Sequence, residues 1–173
     1  MPFRDGLTMK ISECYNGAAF GGICRKPEWF PEQKPVSARC SEAFDRREAV
    51  LGSTLGDGEK LLVCANGAYG ERMAEIARRM GKRVSVYREK YDRIPDAQRV
   101  ARILEEDPEI THVGMIHSET TSGILNDIAA VGKVVKAAGK TFIVDAMSSF
   151  AGVDIDVPET GIDFLISSAN KCV

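Results

Sequence analysis

Asp145 closes the apolar run Phe142-Ile-Val144, and a carboxylate in that position loses part of its hydration and needs a partner. A protonated pyridine nitrogen would be such a partner, and keeping it protonated lets the ring act as an electron sink. Capping the next turn, or pairing with a nearby Arg or Lys, would also satisfy the carboxylate. Lys171 lies among Ser167, Ser168 and Asn170. An amine held there could form an imine with an aldehyde, provided it sheds its proton readily; an ordinary exposed lysine would have the same neighbours. The run His117-Ser-Glu-Thr-Thr-Ser-Gly123 offers His117, Ser118, Thr120 and Thr121 to hydrogen-bond a ring, or else a turn that satisfies its own backbone. Cys172 reads as a packed side chain, and Asp92, Asp154 and Asp156 as solvated loop residues rather than a metal set.

These groups need elements to carry them. Lys60-Leu-Leu-Val-Cys-Ala65 is a short apolar run ending at Asn66-Gly67. Met73, Ile76 and Met80 then mark one face of a helix stopped by Gly81, and Arg83-Val-Ser-Val-Tyr87 reads as the next strand. After the Ile94-Pro95 turn, Ala97, Val100, Ile103 and Leu104 line a second helix, closed by Asp107-Pro108. His112 to His117 is a third strand. Ile128, Val131, Val134, Val135 and Ala138 line a third helix, and Thr141–Asp145 and Phe164–Ser167 are two further strands. This alternation predicts an α/β fold: a mostly parallel sheet with flanking helices and right-handed crossovers. In such a sheet ligands gather outside the carboxyl ends of the strands, where the clusters at 117–123, 145–149 and 167–171 all fall.

Ahead of this pattern a helix is expected from near Ser41 to Leu51, before the Gly56-Asp57-Gly58 turn. Residues 1–40 hold Gly17, Gly21, Gly22, Pro27, Pro31 and Pro35 without a sustained period. They read as an irregular segment, leaving 41–173 as the domain. A chain of 173 residues, 44% hydrophobic and 28% charged, is in the soluble globular class and suffices for one core. Its net charge of -2 sets up no field for nucleic acid or an anionic membrane. No apolar stretch approaches the ~20 residues of a spanning helix, and Met1–Lys10 has no signal-like apolar segment. Cys14, Cys24, Cys40, Cys64 and Cys172 form no CxxC pair and are odd in number, which suggests reduced thiols in a cytoplasmic protein rather than disulfides or a metal site.

One motif points elsewhere. Ala65-x-Gly67-x-x-Gly70 follows a strand and opens a helix, and Glu89 ends the next strand about 20 residues on, as in dinucleotide sites. Its first glycine is replaced by Ala65, and a dinucleotide site would leave the Asp145 and Lys171 clusters without a purpose.

Four segments carry a stronger resemblance: Leu61–Met73 (LLVCANGAYGERM), His112–Asn126 (HVGMIHSETTSGILN), Phe142–Phe150 (FIVDAMSSF) and Asp163–Cys172 (DFLISSANKC). In order and spacing the stretch from Glu48 to Cys172 resembles the 2-aminoethylphosphonate–pyruvate transaminases, class V aminotransferases of fold type I. The resemblance implies pyridoxal 5'-phosphate as cofactor, Lys171 as its Schiff-base lysine and catalytic proton carrier, and Asp145 as partner of the pyridine nitrogen. It further implies Thr120 at the ring's 3-hydroxyl and, more loosely, Tyr69 near the cofactor. The implied reaction moves the amino group of 2-aminoethylphosphonate to pyruvate, giving phosphonoacetaldehyde and alanine. The implied assembly is a homodimer acting on small molecules. Alanine–glyoxylate enzymes carry related but different wording.

The chain departs from this family in two places. A Gly-Ser-Gly-Thr-like run at a helix N-terminus should precede Glu48 and offer free backbone N–H groups to the cofactor phosphate. Here the stretch is Arg39-Cys-Ser-Glu-Ala-Phe-Asp-Arg-Arg47; Ser41 is the residue that could stand in, and Glu42 brings an unfavourable charge. The family also continues for about as many residues again beyond Lys171, so a truncated chain is expected, lacking the groups that read the phosphonate and a small C-terminal domain. An inactive family fragment is the alternative to a working enzyme.

Overall fold

The protein's computed structural model describes residues 46–168 and Lys171. The expected helix start at Ser41 lies outside them, and from Arg46 the helix runs to Thr54, one turn beyond the expected end at Leu51. In chain order the elements are α1 (Arg46–Thr54), β1 (Lys60–Ala65), α2 (Ala68–Arg79), β2 (Arg83–Arg88), α3 (Ala97–Glu106) and β3 (Ile110–Ile116). They continue as β4 (Ser118–Glu119), β5 (Ile124–Leu125), α4 (Ile128–Ala137), β6 (Thr141–Asp145), α5 (Val157–Thr160) and β7 (Phe164–Ile166). The small β4–β5 hairpin and α5 carry too little period to be read from sequence.

The helix boundaries follow local chemistry. Asp96 accepts from the Gln98 amide and Asp127 from the Ala130 amide, each at 2.9 Å, so α3 and α4 open on carboxylate caps worth ~1 kcal/mol apiece. Asp156 does the same for α5, accepting from the Glu159 amide at 2.9 Å. At the other end, α4 stops at Gly139 in the left-handed region (φ 67°), where a side chain would be strained.

Five strands form one parallel sheet in the order β2-β1-β3-β6-β7. Successive residues of a strand face opposite sides, and both sides are covered. Leu61, Val63, Ala65, Ile116, Ile143 and Ile166 pack with Leu51 and Leu55 and with Met73, Ile76 and Ala77 of α2. On the other side Leu62, Cys64, Val113, Met115, Phe142 and Val144 pack with Val100 and Leu104 of α3 and Val131 and Val135 of α4. Burial on two faces explains why these strands read as unbroken apolar runs.

The chain leaves β1 for β2 on one side and then crosses to β3 on the other. The strand order therefore reverses at β1, and the crevice beyond the carboxyl ends of β1 and β3 is where a fold of this kind receives a ligand.

Candidate functional site

The ends of β1 and β3 are locked together by two buried amides. Asn66 donates to the Asn126 side-chain oxygen at 2.8 Å and Asn126 donates back at 3.1 Å. Asn66 also donates to the Arg93 carbonyl at 2.9 Å and Asn126 to the Ile116 carbonyl at 2.8 Å. Buried amides must place each donor somewhere, and these spend theirs bridging the switch point. Both residues were missed in the sequence, because asparagine after a strand reads as a turn former.

Beside them lies Glu119, whose side chain is wholly buried. It accepts from the Gly70 amide at 3.1 Å, the Tyr69 amide at 3.5 Å and the Thr121 hydroxyl at 2.6 Å. Helix α2 has no capping side chain of its own at Gly67; the carboxylate of Glu119, reaching over from β4, supplies the anion that a helix N-terminus favours. Gly67 makes this approach feasible, since a Cβ there would stand 2.3 Å from Glu119 Cγ and Cδ. A Cβ on Gly70 would stand 2.8 Å from the Ala65 Cα, so the two glycines of the Ala65-x-Gly67-x-x-Gly70 motif serve close packing. The dinucleotide reading is corrected accordingly. Its pyrophosphate would need the amides that Glu119 holds. Its ribose acid, Glu89, is engaged by the Lys90 amide at 2.9 Å and the Tyr87 hydroxyl at 2.8 Å, which hold its carboxyl below the ordinary value.

The registers of β3 with β6 and of β6 with β7 align Ile116, Asp145 and Ile166 across the sheet. Asp145 is thus the last strand residue of β6, two positions after Ile143, and points to the side covered by α1 and α2. It is buried, at 2% exposure. Its Oδ1 accepts from the Met147 amide at 2.9 Å, and its Oδ2 takes the Arg47 Nε at 2.5 Å. Both alternatives open in the sequence for this carboxylate, a turn contact and a neighbouring Arg, are therefore realised.

Arg47 comes from α1, is itself buried, and lies over the ring of Tyr69 at 5.2 Å from the centroid. Tyr69 is partly exposed at 39%. Arg46, the residue before Arg47, donates to the Ser167 carbonyl at 2.9 Å, just beyond β7.

His117 is buried and shares a 2.9 Å hydrogen bond through Nδ1 with Ser149 Oγ; burial pushes its pKa down. Its backbone amide donates to the Asp145 carbonyl at 2.8 Å, so the strand ends carrying both residues are hydrogen-bonded. Ser148 Oγ donates to the Ser118 carbonyl at 3.0 Å. Thr121 Oγ1 accepts from the Ala68 amide at the start of α2 at 3.1 Å. Thr120 sits exposed in the turn between β4 and β5, and Lys171 is exposed in a bend beyond β7. Ser41 lies outside the described residues. Chemically, a buried carboxylate at the edge and an aromatic face below form a receptor for a flat cation. The Arg47 guanidinium is the flat cation held there. Among the described residues, no group of three or more His, Cys, Asp or Glu could hold a metal ion. No described helix is long and apolar enough to cross a membrane.

Comparison with known proteins adds a family to this geometry. The model of the aminotransferase class-V family matches residues 40–173. A 2-aminoethylphosphonate–pyruvate transaminase of Lysinibacillus sphaericus is 52% identical over 126 residues, 73% of this chain and 34% of the relative. One of Klebsiella pneumoniae is 51% identical over the same shares. The chain thus spans about a third of the length of the curated relatives it matches. Among solved structures, a pyridoxamine–pyruvate aminotransferase from Mesorhizobium loti superposes with a TM-score of 0.69 at 34% identity, over 73% of this chain and 32% of that one. A ureidoglycine–glyoxylate aminotransferase from Bacillus subtilis superposes with a TM-score of 0.68 at 30% identity, over 72% and 32%.

Proposed function

Since the chain belongs to the class-V aminotransferase family, we propose that it is the cofactor-binding portion of a pyridoxal-phosphate-dependent transaminase that moves the amino group of 2-aminoethylphosphonate to pyruvate. The observation that carries the reading is the buried Asp145 at the end of β6 with the Tyr69 ring nearby, both directed to one guanidinium. The 52% identity to 2-aminoethylphosphonate–pyruvate transaminases supports this substrate pair over the glyoxylate acceptor named for the structural relative at 30%.

Bound pyridoxal phosphate would supply an aldehyde for the substrate amine and a ring that delocalises the electron pair left when a carbon–hydrogen bond breaks. The rest falls to the chain. The buried Asp145 carboxylate would face the ring nitrogen and favour its protonated form. Tyr69 would lie against one ring face, and the Thr120 hydroxyl would meet the ring's 3-hydroxyl. Ser41 would contribute to the phosphate. The Lys171 amine, released by the incoming substrate, would take the proton from the substrate carbon as a base and return it as an acid. Glu119 and the Asn66–Asn126 pair would hold the start of α2, with Tyr69, and the strand ends in register. The active assembly in this reading is a cytoplasmic homodimer.

The test is direct. The purified chain is incubated with pyridoxal phosphate, reduced with borohydride and digested, and the modified peptide is identified by mass spectrometry. Modification at Lys171 is the expected result, and in a separate unreduced sample alanine formation from 2-aminoethylphosphonate and pyruvate is expected in preference to glycine formation from glyoxylate. Stable labelling of a different lysine, or no uptake at all, would overturn the assignment.

A further inference from the structure

We propose that Arg47 is an internal occupant of the ring subsite: its guanidinium holds the place and the charge that a protonated pyridine would take, so cofactor entry and the Arg47–Asp145 pair exclude one another. The inference rests on reading Asp145 and Tyr69 as the ring-binding groups. Its basis is the double engagement of one flat cation. Asp145 Oδ2 meets the Arg47 Nε at 2.5 Å, and the same guanidinium lies 5.2 Å from the Tyr69 centroid. A carboxylate at the edge and an aromatic face are what a protonated pyridine would also require.

The remaining contacts of Asp145 leave no room for both cations. Oδ1 is committed to the Met147 amide at 2.9 Å, and the carboxylate is 2% exposed, too buried to offer a second open edge. Nor does α1 present the arginine by accident of drift. Arg46 ties the same turn to the Ser167 carbonyl at 2.9 Å, and Leu51, just over one turn further along α1, is fully buried. Clearing the subsite therefore calls for a swing of the Arg47 side chain rather than a shift of the helix. When the chain binds a cationic ring, the ring must displace an ion pair already made, and its apparent affinity falls by the fraction of molecules in which the subsite stands open.

The experiment compares pyridoxal phosphate binding by the wild-type chain and by Arg47→Met, which keeps the side chain's length and removes its charge. Titration followed by cofactor absorbance is expected to show the variant binding on the order of ten- to a hundred-fold more tightly. In the wild-type chain, the Arg47 Nε–H signal in nitrogen-15 NMR, protected by its carboxylate, is expected to disappear as the cofactor saturates. Equal affinities for the two proteins, or an Arg47 signal that persists at saturation, would overturn the inference while leaving the functional reading intact. Failure of both proteins to take up pyridoxal phosphate would overturn the functional reading together with it. Should Arg47→Met not fold, the wild-type NMR measurement decides alone.

Discussion

Replacing Gly67 by alanine tests whether Glu119 is truly the cap of α2. The added Cβ would stand 2.3 Å from Glu119 Cγ and Cδ and 2.7 Å from Thr121 Oγ1, where a comfortable contact needs ~3.5–4.0 Å. Glu119 is wholly buried and has no solvent to swing into. If it yields, the Gly70 amide and the Thr121 hydroxyl lose the acceptor they reach at 3.1 and 2.6 Å, and a buried carboxylate loses its donors. Crowding at ~1–3 kcal/mol and the unsatisfied groups at a similar ~1–3 kcal/mol give a loss of about 2–6 kcal/mol. That is a large share of the ~5–15 kcal/mol a domain has in all. Urea unfolding followed by circular dichroism measures it. The control is Gly81→Ala, where φ is 73° and no atom lies within 4 Å of the new Cβ, so that only backbone strain of ~1–2 kcal/mol applies. A Gly67→Ala loss under ~1 kcal/mol, or smaller than the control's, refutes the account. A second handle is Glu119→Ala, which vacates the crowded space. The double variant is expected to be less damaged than the sum of its parts, and strict additivity would mean that the two residues do not meet.

Two further outcomes are expected. His112 and His117 both have pKa values pushed below the ordinary 6.5 by burial, so the unfolded chain binds protons first as pH falls; stability is full above about pH 6.5 and declines from there downward, and a urea midpoint that rises between pH 7.5 and 5.5 contradicts this. Cys64, fully buried in β1, has its thiol pushed up to about 12, so mass spectrometry after iodoacetamide treatment of the folded chain at pH 8 should leave it unmodified, with full labelling in urea.

Most of the sheet could be read from the sequence because each strand carries its own signal. Phe142 to Val144 is apolar on every residue since both faces are covered, and Val100 and Leu104 repeat at helical spacing since only one side of α3 is. Asp145 was legible for the same reason: a lone acid ending an apolar run must answer to something. Which partner it meets was not legible. Arg47 reaches it from a helix nearly a hundred positions earlier in the chain, and local pattern contains no term for that distance. Glu119 was hidden in a polar run, His117 to Ser122, whose composition reads as solvated loop. Its burial depends on Gly67 lacking a side chain, a condition met in another part of the sequence. The Asn66–Asn126 pair escaped likewise, since each half alone resembles an ordinary turn residue.

The clamp on Asn66 has a chemical corollary for the lifetime of the polypeptide. Asparagine followed by glycine is prone to lose ammonia, because the next backbone nitrogen can curl back onto the side-chain carbonyl and close a five-membered imide. In the folded chain that carbonyl is engaged by Asn126 and the amide nitrogen by Arg93 and Asn126, so the ring closure lacks the freedom it needs. Aspartate appearing at this position would therefore accumulate only during moments when the strand ends come apart, and an ageing sample would keep, in its mass, a cumulative record of how often they do.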